Sequence, residues 1–372
     1  MPRLRRIVPA TAPAGALILF FALGGCAPRP KPTPLAGFSA PFVFGRFEVP
    51  ADNPLTEEAV ELGRRLFYDR RLSGNDTVSC STCHLQRLAF TDGRKTSVGV
   101  SGEPMAFNAM SLANLMWGPR HFFWNGRAAT LEEQALVPIR HPDEMAQDVD
   151  RLVEELAADA DYRALFGVAY GEISEPAITR ALAAFQRTLI SANSRYDQFL
   201  RGEITLGEQE ELGRKLFMAH PDVKVSLRGA NCIDCHSQFL TSGFSTRYDG
   251  FSNNGLDRDE ELPAGLQEST GDPAHRGLFK VPTLRNIALT APYMHDGRFD
   301  TLEQVLDHYN EGIRRSSTLS PLILEADNLH KAAQDRISLN LTQAEKAAII
   351  AFLHTLTDQD FVTAERFSDP SE

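Results

Sequence analysis

Glu61-Leu-Gly-Arg-Arg-Leu-Phe67, followed by Cys80-Ser-Thr-Cys83-His84, returns later as Glu211-Leu-Gly-Arg-Lys-Leu-Phe217, followed by Cys232-Ile-Asp-Cys235-His236. Two thiols flanking two residues, with histidine next, is the pattern that attaches a c-type haem. The thiols add across the vinyl groups, and the histidine is placed to ligate iron from the proximal side. One such pentapeptide is weak evidence, because a zinc pair or a redox dithiol shares the cysteine spacing. Here two copies consume every one of the five cysteines except Cys26. Two covalently bound haem c groups are therefore expected, on Cys80 and Cys83 with His84, and on Cys232 and Cys235 with His236.

Working outward, the repeat extends well past the cysteines. Ser111-Leu-Ala-Asn-Leu115 is answered by Thr283-Leu-Arg-Asn-Ile287. Trp124-Asn-Gly-Arg-Ala-Ala-Thr-Leu-Glu132 is answered without a gap by His295-Asp-Gly-Arg-Phe-Asp-Thr-Leu-Glu303. Three blocks in the same order, at a period of about 150 residues, imply a duplicated unit. The apolar periodicity, the caps and the scarcity of strand signals predict a mostly α chain of two cytochrome c-like haem domains related by internal duplication. Helices are predicted over 56–67, 130–138, 148–165, 175–192, 206–218, 301–310 and 342–357. The first haem domain is expected over 47–200 and the second over 201–355, with a tail over 356–372 that packs back onto the first.

Residues 1–25 carry Arg3, Arg5 and Arg6, a short apolar run from Ala14 to Leu23, and small residues before Cys26. This is a secretory signal, too short to span a bilayer comfortably. Leu23-Gly24-Gly25-Cys26 resembles a bacterial lipobox, so Cys26 is expected to become the acylated N-terminus. A proline-rich tether follows over 26–46. The chain should then be periplasmic, touching the membrane only through a lipid anchor. Losing the leader removes arginines and no acid, so the mature chain is more negative than the formal -11 of the whole. Such a charge argues against nucleic acid as a partner and favours a basic soluble protein.

The repeat also exposes an asymmetry. Pro138 and Tyr309 stand equally far from the aligned Trp124 and His295. A tyrosine phenolate can ligate iron and a proline cannot. If this position lies over the distal face, the first haem keeps an open sixth site and the second is closed by Tyr309.

The chain resembles the bacterial di-haem cytochrome c peroxidase and MauG superfamily over nearly all of its mature length. The motifs that carry the resemblance are the two haem-attachment pentapeptides, Phe122-Phe-Trp124-Asn-Gly-Arg127 with Thr130-Leu-Glu-Glu-Gln134, Pro142-Asp-Glu144-Met145, and Val281-Pro-Thr-Leu-Arg-Asn286 through Pro292-Tyr-Met-His295-Asp-Gly297. The resemblance implies a peroxidatic N-terminal haem, an electron-transferring C-terminal haem, Trp124 between them, and a calcium ion near the junction held by Asn108, Thr290 and Pro292. Two departures matter. Tyr309 stands where standard di-haem peroxidases carry a methionine, as in MauG. Val100 follows Thr96-Ser-Val-Gly99 where many members place a histidine that blocks the resting site. An enzyme open when fully oxidised is expected.

By the same resemblance Glu144 is the distal acid–base and Gln134 a second distal residue beside it. A solvated loop acid and a solvated helix amide are the plain alternatives for these two. Trp124 bridges the haems or merely fills core, and Tyr309 ligates or is a core tyrosine. Arg127 and Arg298 could neutralise haem propionates. The function expected is reduction of hydrogen peroxide, with electrons from a small periplasmic cytochrome c or copper protein. MauG-like oxidation of a protein substrate, and plain di-haem electron transfer without catalysis, are the alternatives.

Overall fold

The computed structural model describes residues 31–371 apart from Phe42, 118–120, 223–226, 238–249 and 328–336. The leader and the expected acylation site Cys26 lie outside the described residues. From Pro32 onward the chain forms one compact unit.

Six helices position the site: α1 (Glu57–Tyr68), α2 (Leu131–Arg140), α3 (Glu175–Thr188), α4 (Glu208–Met218), α5 (Leu302–Asp307) and α6 (Gln343–His354). Among the described residues the only sheet is an antiparallel ribbon of β1 (Phe251–Ser252) and β2 (Phe279–Lys280). The mostly helical expectation therefore holds. Helix α1 forms where the pattern places it. Thr56 Oγ1 accepts from the Ala59 N–H, Glu57 and Glu58 sit in the first turn, and Arg65 in the last. Cap and charges both complement the helix dipole.

Among the described residues two large hydrophobic cores form, with a small third cluster of Leu55, Ala59 and Ala184. In the first, Leu62, Leu66 and Phe67 of α1 pack on Ala181 and Phe185 of α3, with Phe90, Leu152 and Phe166 closing the cluster. The helices approach so closely that a Cβ at Gly63 would lie 1.9 Å from the Ala181 carbonyl oxygen. In the second core, Leu216 and Phe217 of α4 meet Ile349, Phe352 and Leu353 of α6. There a Cβ at Gly213 would lie 1.9 Å from the Ala348 oxygen. Both glycines belong to the repeated Glu-Leu-Gly-Arg block, and both are required by close backbone approach.

Some boundaries differ from the sequence expectation. Residues 148–165 form two helices, because Asp159 turns extended and its carboxylate caps Asp161 and Tyr162, ending Val149–Ala158 and starting Ala160–Ala169. The helix expected to reach 192 stops at Thr188. Helix α5 stops at Asp307 and passes into a π turn, His308–Gly312. Short helices such as Arg195–Leu200 and Gln359–Thr363 carry too few apolar repeats to be read in advance.

The tail packs on the first core through Phe361, Val362 and Phe367, while Gln86 donates to the Phe361 and Ala364 carbonyls. Described residues of the segment read as a tether also pack down. Glu57 N–H donates to Thr33 O, Leu35 N–H donates to Leu55 O, and the Arg285 guanidinium lies 4.3 Å over the Phe44 ring. Between the cores, the segment 191–197 is fixed by buried polar contacts. Asn114 exchanges two hydrogen bonds with the Ser191 backbone, each 2.9 Å. Asn286 donates to Ser191 Oγ at 2.9 Å, and Arg285 meets Asp197 at 2.8 Å with both side chains almost wholly buried.

Candidate functional site

The first attachment motif forms one helical turn, Cys80–Cys83, with the Ser79 and Thr82 side chains closing a capping box at its start. His84 follows it, and its Nδ1 lies 2.7 Å from the Phe90 carbonyl oxygen. That carbonyl demands a proton on Nδ1, leaving Nε2 unprotonated as a metal ligand must be. The second motif repeats the device: His236 Nδ1 lies 3.2 Å from the Pro282 carbonyl oxygen. Burial lowers both histidines below their ordinary value, His236 to about 4, so both rings stay neutral.

Glu144 reaches the first motif. Its charge raises both the Cys80 and the Cys83 thiols, after the larger effect of their burial. Burial raises Glu144 itself, an effect opposed by Arg127, whose Nη2 lies 3.6 Å away. The Gly99 loop is laid directly against it. The Val100 N–H donates to the Glu144 carbonyl at 2.9 Å, and a Cβ at Gly99 would sit 2.1 Å from the Asp143 oxygen. Val100, at the position where many family members place a blocking histidine, thus lies beside Glu144. Pro138 is also adjacent, since its carbonyl accepts from the Met145 N–H at 3.2 Å. Gln134 lies one turn earlier on the same face of α2. Its Oε1 is buried and has no hydrogen-bond partner among the described residues.

The second motif opens on a cavity of about 1350 Å³, its mouth included, lined by Cys232, Cys235, His236, Trp124, Met294 and Tyr309 among others. Most of its lining is apolar, Phe217, Leu284, Ile287, Leu306 and Leu353 among it, as a large, flat, apolar group requires. Asn231, in a left-handed turn before Cys232, also lines it, and neither atom of its buried amide has a partner among the described residues. Tyr309 stands in the π turn, where burial raises its phenol well above the ordinary value. Its oxygen accepts from Asn254 Nδ2 at 3.3 Å, and the same nitrogen lies 3.4 Å from Met294 Sδ.

Trp124 belongs to the first repeat's motif yet lines the second cavity. Its Nε1 donates to the Asn108 carbonyl at 2.9 Å, its carbonyl accepts from the Lys280 N–H at 2.9 Å, and its ring stands edge-on to His295. His295 stacks on Phe279 with centroids 3.6 Å apart. Lys280 was not singled out in the sequence. It is buried beside Trp124 with Nζ on the His121 carbonyl oxygen, and burial lowers it to about 7. A lysine inside the apolar run Phe279–Val281 was the available signal.

The two candidate propionate arginines are otherwise engaged. Arg127 meets Glu144 and lies 3.7 Å over the Phe123 ring. Arg298 pairs with Asp257 at 2.9 Å and Asp296 at 2.7 Å. Of the residues matched to calcium, Asn108 donates its N–H to the His295 carbonyl at 2.8 Å, which holds it against the 290–295 segment. Thr290 Oγ1 donates to the Ile287 carbonyl, and Pro292 follows a cis peptide bond. No described helix is long and apolar enough to cross a membrane.

This geometry fits a haem at each motif: two thiols, a neutral histidine oriented through Nδ1, and at the second a phenol in the same cavity. Comparison with known proteins agrees. A model of the di-haem cytochrome c peroxidase family matches residues 57–205. The methylamine utilization protein MauG of Methylorubrum extorquens is 38% identical over 305 residues, covering 81% of this chain and 82% of that protein. The cytochrome c551 peroxidase of Nitrosomonas europaea is 34% identical over 317 residues, 83% of each chain. Among solved structures, a MauG-like protein associated with microbial copper homeostasis is 41% identical. It superimposes with a TM-score of 0.78, over 90% of this chain and 99% of that one. The chain belongs to the di-haem cytochrome c peroxidase family, whose members carry two haem c groups and use peroxide.

Proposed function

We propose that hydrogen peroxide is reduced at the haem held by Cys80, Cys83 and His84, with two electrons arriving by way of the haem held by Cys232, Cys235, His236 and Tyr309. The observation that carries this reading is the contrast between the two sites. Val100 and Pro138 surround Glu144 at the first, and neither can ligate iron. Tyr309 shares the second cavity with His236.

A haem held by Cys80, Cys83 and His84 would supply the redox chemistry that cleaves the peroxide O–O bond; the side chains manage protons and position. Glu144 takes the proton from one peroxide oxygen and returns it to the other, so that water is the leaving group. Its affinity for protons, raised by burial, suits that exchange. Arg127 holds the carboxylate in place. Gln134, with its unpartnered oxygen, accepts a hydrogen bond from the bound peroxide or a water. Two electrons and two protons per peroxide yield two waters. Trp124, anchored at both its indole N–H and its carbonyl, carries the electrons between the sites.

The electrons come from a small periplasmic redox protein or from side chains of a protein substrate. Tyr309 favours the second source, since a phenolate stabilises ferric iron and makes the second haem a poor acceptor for a small cytochrome. The duplication, the domain limits 47–200 and 201–355, export, the lipid anchor at Cys26 and a calcium ion at Asn108, Thr290 and Pro292 belong to the same reading. Electron paramagnetic resonance of the fully oxidised protein tests it. One high-spin and one low-spin haem, with the high-spin signal lost on one equivalent of peroxide, is expected. Two low-spin haems indifferent to peroxide would overturn it. Steady-state assays with a reduced small cytochrome then separate the two electron sources.

A further inference from the structure

Among the described residues, the phenol oxygen of Tyr309 has one hydrogen-bond partner, Asn254, and that amide nitrogen also serves the sulfur of Met294. A carboxamide carries two N–H donors, so both contacts form at once. Oxygen and sulfur are therefore tied to the same amide nitrogen, and both residues line the cavity that contains His236 and the two attachment cysteines. Met294 sits at φ 76, in the left-handed turn that the matching Phe123 also takes, so the shared frame delivers its side chain. Tyr309 is presented from a π turn, a helix distortion frequent at functional sites. The first half lacks any counterpart: Phe123 stands where Met294 does, at φ 67, with no atom able to ligate iron.

We infer that Met294 is a second axial ligand for the iron of the second haem, taken in the reduced state, and that Asn254 is the positioning residue that keeps sulfur and phenol oxygen at one site. The inference rests on the reading that Tyr309 faces that iron. An anionic oxygen suits ferric iron, while a soft, neutral thioether suits ferrous iron and raises the potential. When one electron from the donor reduces the iron, the iron–oxygen bond breaks and a solvent proton joins the phenolate oxygen. The sulfur lone pair of Met294 then forms the new bond. Oxidation reverses each change. The second haem is thereby held at low potential when oxidised and stabilised once reduced.

The test is spectroscopic, on haem-loaded protein with two haems per chain verified for each variant. Resonance Raman and near-infrared magnetic circular dichroism are recorded on ferric and ferrous forms of the wild type, Met294→Leu, Tyr309→Phe and the double variant. Met294→Leu conserves volume and should fold. It is expected to keep the tyrosinate signature when ferric and to leave the ferrous second haem five-coordinate. Tyr309→Phe should show thioether ligation in both states, and the double variant neither ligand. A ferrous Met294→Leu spectrum identical to the wild type would overturn the inference. So would a Tyr309→Phe protein whose second haem is high-spin or bound by two nitrogens. If the ferric wild type lacks tyrosinate ligation, the assignment of Tyr309 fails instead.

Discussion

The two haem sites share their local devices and differ where chemistry is decided. Each places an attachment pentapeptide after a helix bearing Glu-Leu-Gly-Arg, and each directs its histidine Nδ1 to a backbone carbonyl. Each uses an asparagine in left-handed conformation, Asn114 at φ 60 and Asn286 at φ 62. Each closes a turn with one isolated bridge, Phe122 to Ala128 and Tyr293 to Phe299, and caps the next helix with threonine, Thr130 or Thr301. On that common frame the first site offers Glu144, Gln134 and a proline in a regular helix. The second offers Tyr309 and Met294, with the helix loosened into a π turn so that the tyrosine leaves the α register. On the proposed reading, one scaffold supports two roles through a few side chains and one local change of helix geometry.

That comparison is open to attack. The largest effect is expected at the first site alone. Glu144→Gln should lower peroxide turnover about 10²–10⁴-fold and leave the second haem's spectrum unchanged; an equal disturbance of both haems would refute the division of labour. The same variant should erase a limb of the pH–rate profile. Burial raises Glu144 in the folded chain, so between its unfolded and folded values the native state binds more protons. The carboxylate should therefore cost stability as pH rises through that window, and Glu144→Gln should flatten this dependence.

Next in size is the contact both halves share. Asp197→Ala leaves Arg285 charged and buried, which typically costs about 3–5 kcal/mol. Thermal unfolding followed at the haem bands should show both sites melting earlier and together. Separate transitions would mean that the halves are independent.

The smallest effect sharpens the likeness. Gly63→Ala and Gly213→Ala each drive a methyl into a carbonyl oxygen, and overpacking of this kind costs roughly 1–3 kcal/mol. Denaturant midpoints should fall by similar amounts in the two variants. A cost in one half and none in the other would break the symmetry.

Sequence alone determined what depends on identity and spacing. The two Cys-X-X-Cys-His motifs fix where haem is attached, the repeated blocks fix which positions correspond, and helix caps such as Thr56 fix where helices begin. Spacing cannot say what an element meets across the fold. Nothing local to Pro138-Ile-Arg-His reveals that the Pro138 carbonyl will receive the Met145 N–H, or that Val100 will bond to Glu144 from a distant loop. Lys280 looked like one cation among many until burial beside Trp124 set it apart. Met294 stands well before the aligned position of Tyr309, so the repeat gives it no role. Asn254, distant from both in sequence, ties its sulfur and the Tyr309 oxygen to one amide nitrogen. Such placements arise from close packing of two cores around one buried polar seam, and the energies involved are long-range in sequence and short-range in space. Residue patterns record the first kind of information, and only the folded chain contains the second.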